Sequence, residues 1–200
     1  EVTIPGGFGV AEDSATDADD GIVITDGTNE FVWIPVPDSS TMYITEYPGT
    51  KLTGVTTTTD IYSKLRIRKG DNSSYSTGTP NSYRMREPDV LSSNDTSSNC
   101  YNILGYNSVE EMADDLVKEY TATYNSIKKY KGFYIGRYEL TGTIDKPTVQ
   151  KGQEILTNQN WYNLKKACNN IVTGSESAQS IMIYGNQWDE VMAWLVNTGE

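Results

Sequence analysis

The side chains that could do chemistry in this chain are carboxylates, two thiols and tyrosines, because its 200 residues include no histidine. The absence of histidine excludes Ser-His-Asp and Cys-His catalysis and His-ligated zinc within the chain. Glu139 and either Asp189 or Glu190 could act as an acid/base couple if the fold held them about 5 to 10 Å apart. We favour a plainer interpretation, in which Glu139 is a structural carboxylate bonded by Arg137 or by loop amides.

The two cysteines, Cys100 and Cys168, are far apart in the sequence and form no CxxC pair. Their spacing therefore indicates neither a zinc site nor a disulfide framework. Cys168 falls on the apolar face of a predicted helix, where a cysteine behaves as a small buried hydrophobe.

An acidic run near the start of the chain could supply oxygen ligands to calcium. It lacks the regular Asp-x-Asp-x-Asp-Gly spacing and the closing Glu of a calcium loop, so we favour a solvated loop and expect no cofactor, with calcium as the alternative. The run consists of Asp13, Asp17, Asp19 and Asp20.

The charge and hydrophobicity of the chain indicate which kinds of partner it can bind. Sixteen Lys and Arg against 27 Asp and Glu give a net charge of −11, which disfavours nucleic acid and anionic membranes. The longest apolar stretch, residues 31–36, is too short for membrane insertion. Glu1 in place of Met indicates a processed or excised start. The Ser-, Thr-, Asn- and Tyr-rich composition predicts an extracellular location, on a virion or a cell surface.

The order of predicted elements indicates an α+β chain. Residues 21–25 and 30–36 are typical of two strands joined by an Asp-Gly turn. Ser108 and Glu111 form a capping box that opens a helix ending near Lys128, with Glu119 on its outward side. A buried strand is predicted at residues 133–139, with Gly132 between the end of the helix and this strand.

Two further helices and a short strand are predicted towards the C-terminus. Asn160 caps a helix whose apolar face includes Leu164 and Ile171, and which Thr173-Gly174 ends. A strand over residues 180–184 then precedes a helix capped by Asn186, with Met192 on its buried side. The residues that we expect in the structural core are Trp33, Tyr134, Trp161, Cys168 and Trp188.

Residues 37–107 are predicted to be a loop-rich insertion within a single domain spanning residues 1–200, because runs of Thr, Ser and Asn separate short apolar pieces there. Tyrosine offers a large, rigid contact surface, so we expect the tyrosines of this insertion to bind ligand. The alternative is that their rings pin the insertion to the body of the domain. The residues concerned are Tyr75, Tyr83, Tyr101 and Tyr106.

Four stretches together resemble one family. They are FVWIPV at residues 31–36, GFYIGRYELT at 132–141, the NWYN…C helix at 160–168 and QWDE at 187–190. This order is similar to that of formylglycine-generating-enzyme-like (sulfatase-modifying-factor) domains. The resemblance implies a C-type-lectin-like fold, of the type seen in gut bacterial and phage surface proteins. The family's core continues further than Glu200, so the fold is expected to be truncated at the C-terminus.

The catalytic branch of that family looks like a copper-dependent oxidase with a closely spaced cysteine pair. Neither Cys100 nor Cys168 matches that pair, so the resemblance implies a chain that is not an enzyme. We expect a binding domain of a phage tail, another virion protein or a bacterial surface protein, engaging a host glycan or protein. The alternatives are a structural subunit that contacts neighbouring virion or surface subunits, with homo-oligomers included, and thirdly the oxidase itself.

Overall fold

The described part of the chain consists of a four-stranded antiparallel sheet, two small hairpins and three helices. A computed structural model describes residues 1–37, 45–46, 50–51, 102, 104–107, 109–172, 175 and 177–199. The helices are α1 (Val109–Tyr130), α2 (Trp161–Asn169) and α3 (Gly185–Thr198). The strands are β1 (Gly9–Val10), β2 (Val23–Thr25), β3 (Glu30–Pro35), β4 (Thr45–Glu46), β5 (Thr50–Lys51), β6 (Gly132–Gly136), β7 (Thr141–Gly142) and β8 (Pro147–Thr148).

The main sheet has the strand order β1-β2-β3-β6, while β4 pairs with β5 and β7 with β8. This arrangement confirms the α+β class. The predicted hairpin is also present, since β2 and β3 pair around a turn at residues 26–29. Asp26 closes the turn by accepting hydrogen bonds from the amides of Thr28 and Asn29, at 2.9 and 2.7 Å. Gly27 supplies the positive φ of 93° that this turn requires.

The two faces of the sheet are covered by different parts of the chain. On one face Ile34 pairs with Phe133 across β3 and β6 and packs with Ile127 of α1 and Val191 of α3. On the other face, Ile24, Phe31 and Val149 form a second buried cluster. Alternation along β3 places successive side chains in these two separate cores.

The predicted core residues Trp33 and Tyr134 face each other across β3 and β6. Trp33 is buried and Tyr134 is partly buried, with ring centroids 5.0 Å apart in an edge-to-face arrangement. The hydroxyl of Tyr134 donates to the carbonyl of Thr3 at 3.2 Å, and burial raises the pKa of Tyr134 to about 12. Trp33 is therefore a core residue, and Tyr134 is partly buried against the second cluster.

The junction between α1 and β6 differs from the prediction in its detail. Lys131, and not Gly132, adopts the positive φ that ends the helix, and its amide donates to the carbonyl of Ile127 at 2.8 Å. Gly132 is required for a different reason. A Cβ atom there would lie 2.3 Å from Cζ2 of Trp33 and 2.5 Å from the carbonyl oxygen of Ile34.

Helix α2 begins as predicted, because the side chain of Asn160 accepts a hydrogen bond from the amide of Asn163 at 2.9 Å. It ends at Asn169, before the predicted stop. Its buried residues are Tyr162, Lys165 and Ala167, whereas Trp161 and Cys168 are only partly buried. The predicted apolar face is therefore displaced around the helix, and Trp161 and Cys168 lie at the margin of the core.

The predicted strand before α3 and the predicted cap of α3 are both wrong. Among the described residues 177–184, none belongs to a strand. Helix α3 begins at Gly185, so Tyr184 is its N-cap and Asn186 lies inside the first turn. The side chain of Gln187 accepts a hydrogen bond from the amide of Tyr184 at 3.0 Å, which closes this end of the helix.

The placement of Trp188 in the core is also wrong. Its side chain is 51% exposed, and that of Met192 is 45% exposed. Val191 and Trp194 face the body of the domain in their place, and the indole nitrogen of Trp194 donates to the carbonyl of Asp19 at 2.7 Å. Trp188 and Trp194 lie about 120° apart around the helix, so a helix that packs Trp194 against the body leaves Trp188 on the solvent side.

Candidate functional site

The segment predicted as an insertion leaves and rejoins the described part of the molecule beside α3. At its start, Val36 is buried in a cluster with Val191 of α3, shortly before the described residues stop at 37. At its end, Tyr106 is partly buried and hydrogen-bonded to the carboxylate of Asp115. Tyr106 is close enough to Tyr184 to contribute to its raised pKa. Both ends therefore lie near the N-terminal half of α3.

Of the four tyrosines predicted to bind ligand, the structure places Tyr106. Burial and the neighbouring Asp115 carboxylate raise the pKa of Tyr106 to about 12. This ring and its hydroxyl hold the returning chain against α1, which is the pinning role for Tyr106. The other three tyrosines, Tyr75, Tyr83 and Tyr101, lie outside the described residues, as does Cys100.

A polar cluster, which we call the helix junction, connects the three helices of the described part. It consists of Glu119 on α1, Lys165 on α2, and Tyr184 and Gln187 at the start of α3. The ammonium group of Lys165 forms an ion pair with the carboxylate of Glu119. The hydroxyl of Tyr184 donates to the same carboxylate oxygen at 2.7 Å. Burial and the Glu119 charge raise the pKa of Tyr184, which keeps its phenol protonated as a donor.

The helix junction is shielded from water to an unusual degree for a charged pair. The side chain of Lys165 is 5% exposed and that of Glu119 is 17% exposed. Lysine is almost never fully buried unless it is paired. The sequence prediction that Glu119 faces outward is therefore wrong, because the carboxylate turns inward to meet Lys165. Helical periodicity predicts that Glu119 faces solvent, and it gives no reason to select Lys165. An ion pair between two helices that are distant in the sequence has no local sequence pattern.

Cys168 lies next to the helix junction, but its environment opposes nucleophilic chemistry. Burial raises the pKa of Cys168, and the Glu119 charge adds to this increase while the Lys165 charge opposes it. Because the thiolate is the reactive form, a raised pKa leaves the group mostly protonated at neutral pH. The junction and its thiol therefore resemble a structural link between helices more than a reactive centre.

Arg137 has different partners from those expected. Its guanidinium group contacts the carboxylates of Asp13 at 3.0 Å and Glu30 at 2.7 Å, and not Glu139, which is exposed. Hydrogen bonding from Arg137 lowers the pKa of Asp13. One member of the acidic run thus anchors the N-terminal loop to β3, and the predicted bond between Arg137 and Glu139 is wrong.

The outward side of α3 carries an apolar strip that we call the α3 stripe, made of Trp188, Met192 and Val196. These side chains are 51%, 45% and 77% exposed, and their spacing of four residues places them on one side of the helix. Ile183, at 37% exposed, occupies the position from which a hydrophobic staple contacts the fourth helical residue, here Trp188. The stripe is the main apolar surface that the described helices present.

Two further properties concern ligands and membranes. In the part of the chain that the structure describes, no three acidic or thiol side chains converge in a way that could hold a metal ion. No helix within the described residues combines the length and apolar character needed to cross a bilayer.

Comparison of this chain with family models, with curated proteins and with solved structures found no match. The resemblance to formylglycine-generating-enzyme-like domains therefore depends on the four sequence stretches alone.

Proposed function

We propose that this chain is a non-catalytic recognition domain of a virion or cell-surface protein, with a C-type-lectin-like fold of the formylglycine-generating-enzyme-like type. Its partner is a host glycan or protein. The Tyr-, Ser- and Asn-rich segment that includes Tyr75, Tyr83 and Tyr101 supplies the contact residues.

The observation that carries this proposal is the position of the two ends of the segment. Val36 and Tyr106 are both held against a packed body, on the side where α3 begins. Binding residues are often carried on long loops whose ends are held by a rigid scaffold. The helix junction stiffens the same region, because one carboxylate joins α1, α2 and the start of α3.

The chemistry of the segment suits recognition. Tyrosine buries a large ring at a low cost in conformational entropy, while serine and asparagine provide adaptable hydrogen bonds. The raised pKa of Cys168 and the ion pair of Lys165 make these two side chains poor nucleophiles. These features favour binding over catalysis.

The proposal is tested by probing the protein on an array of animal and bacterial surface glycans, followed by titration of each hit. A variant with Tyr75→Ser, Tyr83→Ser and Tyr101→Ser should lose binding by about tenfold or more while melting at the wild-type temperature. Tyr130→Ser, which changes a tyrosine that is 39% exposed on α1, is the matched control and should bind normally.

Two results would overturn the proposal. Unchanged binding by the triple variant would place the contact elsewhere, and a lower melting temperature without loss of binding would mean that the rings only pin the segment. Ordered assemblies of the pure protein in light scattering, with no glycan bound, would instead support the structural-subunit alternative.

A further inference from the structure

The α3 stripe is a second candidate surface, and none of its residues belongs to the Tyr-rich segment. Trp188, Met192 and Val196 form a continuous apolar strip, whereas exposed hydrophobic residues on a protein surface are normally scattered singly. A large aromatic side chain at one end of such a strip is typical of an anchor in a protein interface.

The charge beside the stripe restricts what can cover it. Helix α3 contains Asp189 and Glu190 and no basic residue. Asp189 follows Trp188 directly and is exposed, and no cation among the described residues forms a salt bridge with it. Desolvation raises the pKa of Asp189, in agreement with a carboxylate that is not paired with a cation of the described residues.

A second copy of this chain does not fit the surface well. Two copies packed through α3 would bring their acidic residues together, and each chain carries a net charge of −11. A standard interface also buries about 800 Å² per partner, more than one strip of three side chains offers. The size of the strip suits a short segment, and its charge suits a basic one.

We propose that the α3 stripe binds a short amphipathic segment of a partner protein, whose apolar residues cover Trp188 and Met192 and whose Lys or Arg pairs with Asp189. The stripe lies on the outward side of α3, while the Tyr-rich segment starts from residues packed on its inward side. The two surfaces can therefore be tested one at a time.

In the experiment, the full chain is titrated against a synthetic peptide in which Leu and Lys alternate with the period of a helix. Binding is measured by the fluorescence anisotropy of the peptide. The same composition in scrambled order and a Leu/Glu peptide of the same repeat serve as control probes. The patterned Leu/Lys peptide should bind most tightly. Met192→Gln should weaken its binding by about tenfold, and Asp189→Asn by about fivefold. Ile155→Gln is the matched control, because Ile155 is 50% exposed and forms a bridge with Thr141 of β7, not a part of α3.

Equal binding of the patterned and scrambled Leu/Lys peptides would overturn the inference, because it would reduce the effect to net charge. So would a Met192→Gln variant that binds like the Ile155→Gln control. Concentration-dependent dimerisation that Met192→Gln abolishes would assign the stripe to a second copy. Each of these variants keeps all the segment tyrosines, so failure here leaves the glycan-array result intact.

Discussion

Replacing Glu119 with glutamine should be one of the most destabilising polar substitutions in this protein. The change removes the negative charge opposite Lys165, whose side chain is 5% exposed. An unpaired ammonium group then remains in a region from which water is excluded. Removing one partner of a buried ion pair costs about 3 to 5 kcal/mol, and we expect Glu119→Gln to lower the free energy of unfolding by that amount.

Replacing the other partner, Lys165, should lower the free energy of unfolding less, because the two partners are not equally buried. In Lys165→Met the remaining carboxylate of Glu119 has a side chain that is 17% exposed, and it still accepts a hydrogen bond from Tyr184. We expect a loss of about 1 to 3 kcal/mol. The double variant should be more stable than Glu119→Gln alone, since no buried charge is left without a partner.

The assay is urea unfolding at pH 7, followed by circular dichroism, with the two single variants and the double variant forming a cycle. The adjacent pair Lys166 and Asp145 provides a matched control, because its side chains are 39% and 82% exposed. Asp145→Asn should therefore change the free energy of unfolding by less than about 1 kcal/mol.

Two outcomes would refute the reasoning about the helix junction. One is a Glu119→Gln variant that loses no more stability than Asp145→Asn, which would mean that water reaches the ammonium group of Lys165. The other is a double variant that loses the sum of the two single losses, which would mean that the pair is not coupled.

Three further predictions concern the two tryptophans Trp33 and Trp188, the glycine Gly132 and the turn residue Asp26. Trp33→Ala should lower the free energy of unfolding by about 3 to 5 kcal/mol and Trp188→Ala by about 1 kcal/mol, and equal losses in urea unfolding would contradict their placement. Gly132→Ala should lower the melting temperature sharply, because its Cβ would lie 2.3 Å from Trp33 Cζ2, whereas Gly9→Ala, with no atom within 4 Å, should change it little. Burial raises the pKa of Asp26, but hydrogen bonds from the turn outweigh it and the net pKa is lowered. The charged form therefore stabilises the fold above the unfolded pKa, so Asp26→Asn should be destabilising at pH 7, and the deficit in urea unfolding should shrink as the pH falls below about 4.

The β2–β3 hairpin was predictable because its signals are local, whereas the strand predicted at residues 180–184 does not form. The Asp-Gly turn and the alternation on either side of it define the β2–β3 hairpin within a dozen residues. The partner of β3 is distant in the sequence, but the run that begins at Gly132 is apolar enough to indicate a buried strand. The sequence does not reveal that this glycine is needed for close approach to Trp33, because that contact depends on the register between β3 and β6.

The orientation of the helices was harder to predict, and α3 shows why. Trp188 and Trp194 are both large and apolar, and they lie on different sides of the helix. Periodicity identifies each side as a candidate for burial. Which side is buried depends on the partners that the rest of the chain provides. Here the carbonyl of Asp19 accepts a hydrogen bond from the indole of Trp194, and Val191 packs in the cluster that contains Val36. None of these contacts is encoded within the helix itself.

The helix junction and the α3 stripe are related consequences of this choice. Because α3 begins at Tyr184, its first turn directs the Tyr184 hydroxyl to Glu119 and Gln187 into the body, while Trp188 emerges on the outer side. Loss of the contacts in the helix junction should therefore shift the start of α3, and with it the position of the stripe residue Trp188. We expect Glu119→Gln to weaken binding of the Leu/Lys peptide in the folded protein, although Glu119 lies outside the stripe. If peptide affinity stays at the wild-type value under conditions where the variant remains folded, the two features are independent.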